Sequence, residues 1–413
     1  MSDGLAVDKT TRANTASSPG VIVLFLALAL MSALLNSSAP TPLYPLYQQQ
    51  LALTSVSLTL IYGAYAAGVL ISLFAVGNLA GKVKDLRSMI VPALLVVLLG
   101  ALLFAVADSF SLMLMARLLA GVGTGALTGA ANIALVRFGP ADGGKQAALI
   151  ATLSFTAGLA LGPIFSGIAL QTGFHTTSMP FVVIMVVAAI AALGIMLSWP
   201  ARVVAKASVS LAEGTGAGEN TLAAGLRATG SRFFVCAGAL FVCWALAASI
   251  LAIGPNVAET LLGMQNRSSF GYVIAVYLLI AGASQILSRQ VNARHSLMFG
   301  CLAQALAVVV FAEAIHIHSL GLAAAGMAIA GYAYGAIFVG SATLVNLISP
   351  KASHARLISL FYVIAYVANW VPILLGSIID YASLQLAVNL LFLVTAIVCV
   401  VLGLWATRVG FPS

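Results

Sequence analysis

Long apolar runs alternate with short polar gaps along almost the whole chain. Twelve runs are readable, near residues 21–40, 57–80, 89–107, 111–136, 146–170, 179–199, 233–255, 268–288, 296–315, 319–348, 355–379 and 384–406. Each is close to the roughly 20 residues that a helix needs to cross about 30 Å of hydrocarbon. The pattern therefore predicts twelve membrane-spanning helices and an all-α membrane protein.

Composition agrees, because 62% hydrophobic and 7% charged residues over 413 positions would leave a soluble domain with almost nothing to turn toward water. The basic residues set the orientation. Sixteen of the eighteen Lys and Arg lie in the N-terminal tail (Lys9, Arg12), in alternate gaps (Lys82, Lys84 and Arg87; Arg137 and Lys145; Arg202, Lys206, Arg227 and Arg232; Arg289 and Arg294; Lys351 and Arg356), or after the last run (Arg408). Positive residues stay on the cytoplasmic side, so a multi-pass protein of the cell membrane with both termini cytoplasmic is expected. The other gaps hold only Arg267, and Arg117 lies inside the fourth run. A net charge of +8 would suggest nucleic acid in a soluble protein. Here it is spread beside anionic headgroups, so the expected partner is the bilayer and not nucleic acid.

Lys9 and Arg12 before the first run, and Ser37, Ser38 and Ala39 at its end, imitate a signal peptide. Removing that run would break the charge alternation, so it is read as the first span. The four cysteines, Cys236, Cys243, Cys301 and Cys399, sit within apolar runs at no metal-ligand spacing and read as packing residues.

One stretch, 200–232, is polar and glycine-rich, with Lys206, Ser208, Ser210, Glu213, Gly214, Gly216, Gly218, Glu219 and Asn220. It divides the runs six and six. The expected organisation is a tail (1–20), a six-helix bundle (21–199), a cytoplasmic linker (200–232), a second bundle (233–407) and a tail (408–413). The halves repeat each other: Gly121-Val-Gly-Thr-Gly125-Ala126 answers to Gly331-Tyr-Ala-Tyr-Gly335-Ala336 at an offset of 210, Pro163 and Gly167 to Pro372 and Gly376 at 209, and Lys82 and Arg87 to Arg289 and Arg294 at 207. Ordered matches at a nearly constant offset are the mark of a duplicated bundle. Gly121, Gly125 and Gly129 at four-residue steps line one helix face, where missing side chains allow close packing and also sliding.

Three motifs resemble the major facilitator superfamily over about residues 20–408. Arg117-Leu-Leu-Ala-Gly121-Val-Gly123-Thr-Gly125 resembles its fourth-helix motif. Gly158-Leu-Ala-Leu-Gly162-Pro163-Ile-Phe-Ser-Gly167 resembles the fifth-helix signature of antiporters, with Ser166 where the pattern has glycine. Leu35-Asn36-Ser-Ser-Ala-Pro-Thr-Pro42-Leu-Tyr-Pro45 resembles the end of the first helix in twelve-helix drug-efflux members. The resemblance implies two pseudo-symmetric six-helix bundles, with helices 1, 4, 7 and 10 around a central cavity and 2, 5, 8 and 11 where the halves meet. It also implies proton-coupled efflux of a drug or metabolite. The loop after the second run departs from the family: Gly77-Asn-Leu-Ala-Gly81-Lys82-Val-Lys84-Asp85-Leu-Arg87 has Gly81 where an acid that helps hold the cytoplasmic gate is expected, and Ser288 at the repeat position. Lys82 and Arg87 remain as gate candidates, and Asp85 stands at a shifted position.

Arg117 is the leading site candidate. A cation in hydrocarbon is costly unless paired or wetted, and the alternative is snorkelling to the headgroups from about 9 Å down. The repeat position holds Met327, so packing alone does not require an arginine. Further candidates for the cavity are Asn36, Asn132, Gln304, Tyr362, Tyr366 and Asn369, with Trp370 on the same face of the eleventh run. Gln285 and Asn346 are also polar at mid-run. Any one of these amides is equally a helix-to-helix hydrogen bond. Tyr44, Tyr47 and Trp405 read as interfacial anchors. Proton coupling needs an acid, and Glu259 is the first candidate, with Asp380 and Asp108 behind it; all three, like Glu313, lie near outer helix ends and not at mid-membrane. Gly121, Gly125, Gly158, Gly162 and Pro163 are assigned to packing and gating.

Two patterns are dismissed. Gly139-Pro-Ala-Asp-Gly-Gly144-Lys145 has the spacing of a phosphate loop, but Gln146 follows where a hydroxyl is needed and no strand precedes it. His316 and His318 have only Glu313 near them in sequence, which is too few ligands for a metal. No cofactor is expected. The chain is read as a monomeric secondary transporter of a small organic molecule, with outward movement against protons, an uptake permease as the alternative, and a membrane enzyme disfavoured because no acid or histidine cluster is visible.

Overall fold

The computed structural model describes residues 19–79, 85–140, 142, 144–199 and 222–411. Lys82, Gly81 and most of the linker lie outside them. The helices are α1 (Pro19–Ser38), a short α2 (Tyr44–Gln50), α3 (Ser55–Leu79), α4 (Arg87–Ala105), α5 (Phe110–Phe138), α6 (Lys145–Thr172), α7 (Met179–Ser198), a short α8 (Leu222–Thr229), α9 (Ser231–Thr260), α10 (Arg267–Ser288), α11 (Ala293–His316), α12 (Leu320–Ile348), α13 (His354–Val367), α14 (Val371–Tyr381) and α15 (Leu384–Arg408). Among the described residues, twelve spans are long and apolar enough to cross a membrane. In hydrocarbon only internal hydrogen bonding satisfies the backbone, which is why apolar runs of this length become helices.

Local chemistry sets the ends. Asn266, Asn292, Ser319 and Ser383 cap α10, α11, α12 and α15, each side chain accepting from a first-turn amide. Gly173, at φ +68°, closes α6 in a conformation that costs other residues strain. Pro40 and Pro42 stop α1. Three features differ from the sequence expectations. The ninth helix runs through Pro255 to Thr260, residues 222–229 at the end of the expected linker are helical, and the eleventh span is broken by a 3-10 turn at Ala368–Trp370. Pro372 causes that break, because it has no N–H to give and its ring clashes with the carbonyl four residues back.

The spans pack in two groups. In the first, α1 lies against α5, α6 and α7, α3 against α5, and α4 against α5 and α7; in the second, α12 lies against α9, α10 and α11, and α15 against α9 and α11. The groups meet along two seams, α6 on α10 and α3 on α14. With an even number of spans the start of α1 and the end of α15 lie on one face, called here the terminal face, and the other is the distal face. Near the terminal face each half has its own buried core, one around Ile22, Leu94 and Ala134 and one around Leu240, Cys301 and Phe361. Near the distal face one core is shared, joining Tyr44, Phe104 and Phe181 to Ala252, Leu375 and Val388. The halves are thus closed distally.

Glycines make the close contacts inside each half. A Cβ at Gly121 would strike the Tyr65 carbonyl of α3, and one at Gly125 would stand 2.9 Å from Ser72 Cβ. In the second half a Cβ at Gly331 would stand 2.8 Å from the Tyr277 carbonyl, and one at Gly335 2.6 Å from the Ala281 carbonyl. Gly158 and Gly162 bring α6 equally close to Met31, Leu35 and Ser38 of α1. Lipid supplies no hydrophobic force between helices, so such backbone approach is the main source of adhesion. Gly125→Leu and Gly335→Leu are each expected to destabilise by about 1–3 kcal/mol through overpacking and to lower transport. Thermal unfolding in detergent checks this, and an unchanged melting temperature in both variants would mean that these positions are not tight contacts.

Candidate functional site

The seam between the halves is lined by rings. Tyr62 of α3 lies within electrostatic range of Tyr277 of α10 and Tyr334 of α12, and Tyr65 of α3 within range of Tyr366 of α13, across the seam. Trp244 of α9 stands edge-on to Tyr366 at 5.2 Å and stacks on Phe338 at 6.3 Å. Tyr334 and Phe338 are stacked one turn apart at 6.5 Å. At 1.5 Å per residue this cluster lies about 10–25 Å below the distal ends of its helices. It is at mid-membrane, and both halves contribute to it.

Arg117 stands behind the first-half tyrosines. It is 1% exposed, so it does not snorkel. Its Nη1 donates to the Ser37 carbonyl at 2.8 Å and reaches the Asn36 carbonyl at 3.5 Å. These carbonyls belong to the last turn of α1, which Pro40 leaves without amide partners. A cation is favourable there because a helix ends with partial negative charge. The guanidinium also lies 4.8 Å from the Tyr65 ring centre and 5.7 Å from that of Tyr62, a placement that rewards a desolvated cation. Its Nε has no partner, and neither has the buried Trp244 Nε1. The site therefore holds two unused donors. Among the described residues the ion pairs are Glu259–Arg267 and Asp85–Arg87, so no carboxylate neutralises Arg117.

The structure brings Tyr366 to Tyr65, the ring that lies over Arg117, while Tyr362 packs beside Phe361, 5.2 Å ring to ring, on the second half's own core. It separates the others. Asn36 donates to the Val97 carbonyl at 3.3 Å and Gln304 to the Val242 carbonyl at 3.1 Å, so these amides bridge helices inside their own halves and do not face the seam. The pairs are equivalent under the repeat, with the donor moved from one helix to the other. Asn132 is half-buried on α5. Asn369 donates to the Tyr366 carbonyl within the 3-10 turn at 3.1 Å, and Trp370 turns away to donate to the Gly63 carbonyl of α3 at 3.2 Å. Because the helix breaks there, the single face expected for Tyr362, Tyr366, Asn369 and Trp370 does not form. Tyr44 and Tyr47 are not interfacial anchors; both are buried in the distal core, with Tyr47 Oη donating to the Thr177 carbonyl at 3.2 Å.

Of the acids, Glu259 pairs with Arg267 at 2.6 Å, which accounts for the one basic residue in a distal gap. Asp108 is exposed between α4 and α5. Asp380 accepts from the Ser55 and Val56 amides of α3. Arg87 pairs at 3.5 Å with Asp85, both 45% exposed, and does not cross to the other half. Pro163 lies on the α6–α10 seam, its carbonyl 2.5 Å from where a Cβ on Gly271 would stand.

Sequence reasoning missed Tyr62, Tyr65, Tyr277, Tyr334, Trp244 and Phe338. A usable signal was the Tyr62-Gly-Ala-Tyr65 and Tyr332-Ala-Tyr334 spacing at mid-run. The repeat position of Arg117 is Met327, which lines an apolar hollow of about 100 Å³ with Phe270, Phe311 and Phe392.

A family model described as Major Facilitator Superfamily matches residues 26–369. The chain belongs to the major facilitator superfamily. No curated protein matches it in sequence. Solved structures of this fold include a bacterial homolog of the human lysosomal transporter Spinster in an inward-facing, unoccupied conformation (15% identity, 96% of this chain and 98% of that one, TM-score 0.72). A peptide transporter, POT, gives 14% identity, 96% of each chain and a TM-score of 0.76. The nucleoside transporter NupG gives 16% identity over 94% of this chain and 99% of that one, with a TM-score of 0.72. At these identities the likeness is one of fold.

This superfamily member is a membrane transporter, and Arg117 lies over two rings of the cluster. Arg117→Ala is expected to destabilise by about 1.5–3 kcal/mol, the worth of a hydrogen bond to a charged group, and to abolish transport. Arg117→Lys keeps a donor for Ser37 but not the planar contact with the rings; it should recover the melting temperature and little of the transport. Near-normal transport by the alanine variant, assayed in proteoliposomes, would leave Arg117 as a cap for α1 only.

Proposed function

We propose that the chain moves a small organic molecule across the cell membrane by alternating access, binding it among Tyr62, Tyr65, Trp244, Tyr334 and Tyr366. The observation that carries this reading is the pair of unused donors, Arg117 Nε and Trp244 Nε1, beside a cluster of rings to which both halves contribute. Two donors and no carboxylate favour a substrate that brings acceptor oxygens and a flat or apolar body: a neutral amphipath or an organic monoanion. A dication is disfavoured, since it would meet Arg117 without a counter-charge.

The terminal face is cytoplasmic in this reading, as the basic gaps imply. Outward movement against protons rests on the resemblance of the Asn36–Pro45 and Gly158–Gly167 segments to efflux members. The coupling acid assigned is Glu259, whose pair with Arg267 lies beside Pro42 and Pro45 of the first half, at the distal seam. A group that drives coupling must change protonation between the two states.

Inverted vesicles with an acidic lumen test all three parts. Aromatic carboxylates and neutral amphipaths are expected to accumulate and dications to stay out. Trp244→Phe should weaken apparent affinity about two- to tenfold, the worth of one hydrogen bond. Glu259→Gln should leave substrate exchange intact while gradient-driven accumulation is lost. Accumulation independent of the gradient would replace antiport by facilitated diffusion, and accumulation only in right-side-out vesicles would make the protein an uptake permease.

A further inference from the structure

The two seams are built by the same three positions. Pro163, Gly167 and Gln171 stand four residues apart on α6, and Pro372, Gly376 and Asp380 repeat them on α14 at an offset of 209. A Cβ at Gly167 would stand 3.1 Å from the Ser268 carbonyl of α10, and one at Gly376 2.8 Å from the Ser55 carbonyl of α3. One turn further toward the distal face, the third residue of each set crosses to the other half. Tyr272 Oη donates to Gln171 Oε1 at 2.8 Å. The Ser55 and Val56 amides donate to the two carboxylate oxygens of Asp380 at 2.9 and 3.0 Å.

The geometry is shared but the chemistry is not. Gln171 is neutral and meets a side chain. Asp380 is an anion on the first turn of α3, where amides have no partner within the helix and the helix dipole is positive. Such charge-assisted bonds are stronger than neutral ones. The ion pairs found among the described residues each lie within one half; two single charges cross between the halves, Arg289 donating to Thr152 of α6 at 3.0 Å toward the terminal face and Asp380 at the distal face. The 3-10 turn at Ala368–Trp370 lies at the other end of α14. Eleven residues, about 16 Å of helix, therefore connect a break in the span to Asp380.

We infer that Asp380 is the latch of the distal gate: its carboxylate holds α14 to the start of α3 while that side is shut, and it leaves the α3 amides when that side opens, with α14 swinging about the 3-10 turn. The inference goes beyond the binding site and rests on alternating access for its role in transport.

Spin labels at Gln49 and Ala382, exposed on the distal face of opposite halves, report opening there; labels at Pro140 and Lys351 report the terminal face. Distances are measured by double electron–electron resonance in lipid nanodiscs without substrate. In Asp380→Ala the distal-open population should rise about two- to fivefold, the effect of removing an exposed anion from a helix start, and the terminal pair should draw together. Asp380→Asn, which keeps the shape and one acceptor, should give a smaller shift in the same direction, and it decides the matter if the alanine variant does not fold. Distance distributions in the Asp380 variants that match the parent overturn the latch. Because no substrate is present, a failure to find any transported compound would count against the carrier reading alone.

Discussion

Backbone-to-backbone contact at glycine holds this molecule together. Inside a bilayer the helices gain nothing by hiding apolar surface from water, and adhesion comes from dispersion between closely fitted surfaces. Gly121 and Gly125 of α5 against α3, Gly331 and Gly335 of α12 against α10, and Gly158 and Gly162 of α6 against α1 supply that fit within the halves, and Gly167, Gly271 and Gly376 supply it between them. Smooth faces of this kind have no side chains interlocked across them. A seam made from them is firm when shut and requires little unpacking to part, which suits helices that must rock.

The site depends on the same contacts through a short chain of causes. Pro40 ends α1 below the distal surface, which leaves the Asn36 and Ser37 carbonyls facing α5. Arg117 answers them, and the glycines that follow it on α5 bring α3 near enough for Tyr62 and Tyr65 to lie over its guanidinium. The helix end and the two ring faces offset the cost of burying the charge. Arg117 thereby sets the rings that the second half meets with Tyr334 and Tyr366. A residue that looks misplaced in an apolar run is the one that joins the end of α1 to the ring cluster.

The spans were legible because length and apolarity alone decide them in a membrane; the run read at 268–288 is α10, Arg267–Ser288, almost to the residue. The repeat was legible because glycine and proline mark backbone geometry, so Pro163 and Pro372 show the same seam from their positions alone. Facing was not legible. A span that is apolar on every side carries no stripe to say which residues meet the seam, and tyrosine and tryptophan count as apolar in such a run. Tyr62 and Tyr277 were therefore overlooked while Asn36 and Gln304, conspicuous as amides, were assigned to a cavity that they do not reach. Arg117 was singled out as a buried cation, but its partners depend on where α1 stops in space.

Duplication also explains where the halves are unequal. Equivalent positions carry Arg117 and Met327, Gln171 and Asp380, and the bridging amide moves from Asn36 on one side to Gln304 on the other. Two copies of one scaffold related by an axis along the membrane normal would make the two seams alike at the distal face and alike at the terminal face. Charge removes that likeness. At the distal face Asp380 places a carboxylate on a helix start where Gln171 is neutral, and toward the terminal end of the α6–α10 seam Arg289 donates to Thr152 across the halves at 3.0 Å. Each seam thus carries its charged bond at a different face, while the halves share a distal core and keep separate terminal cores.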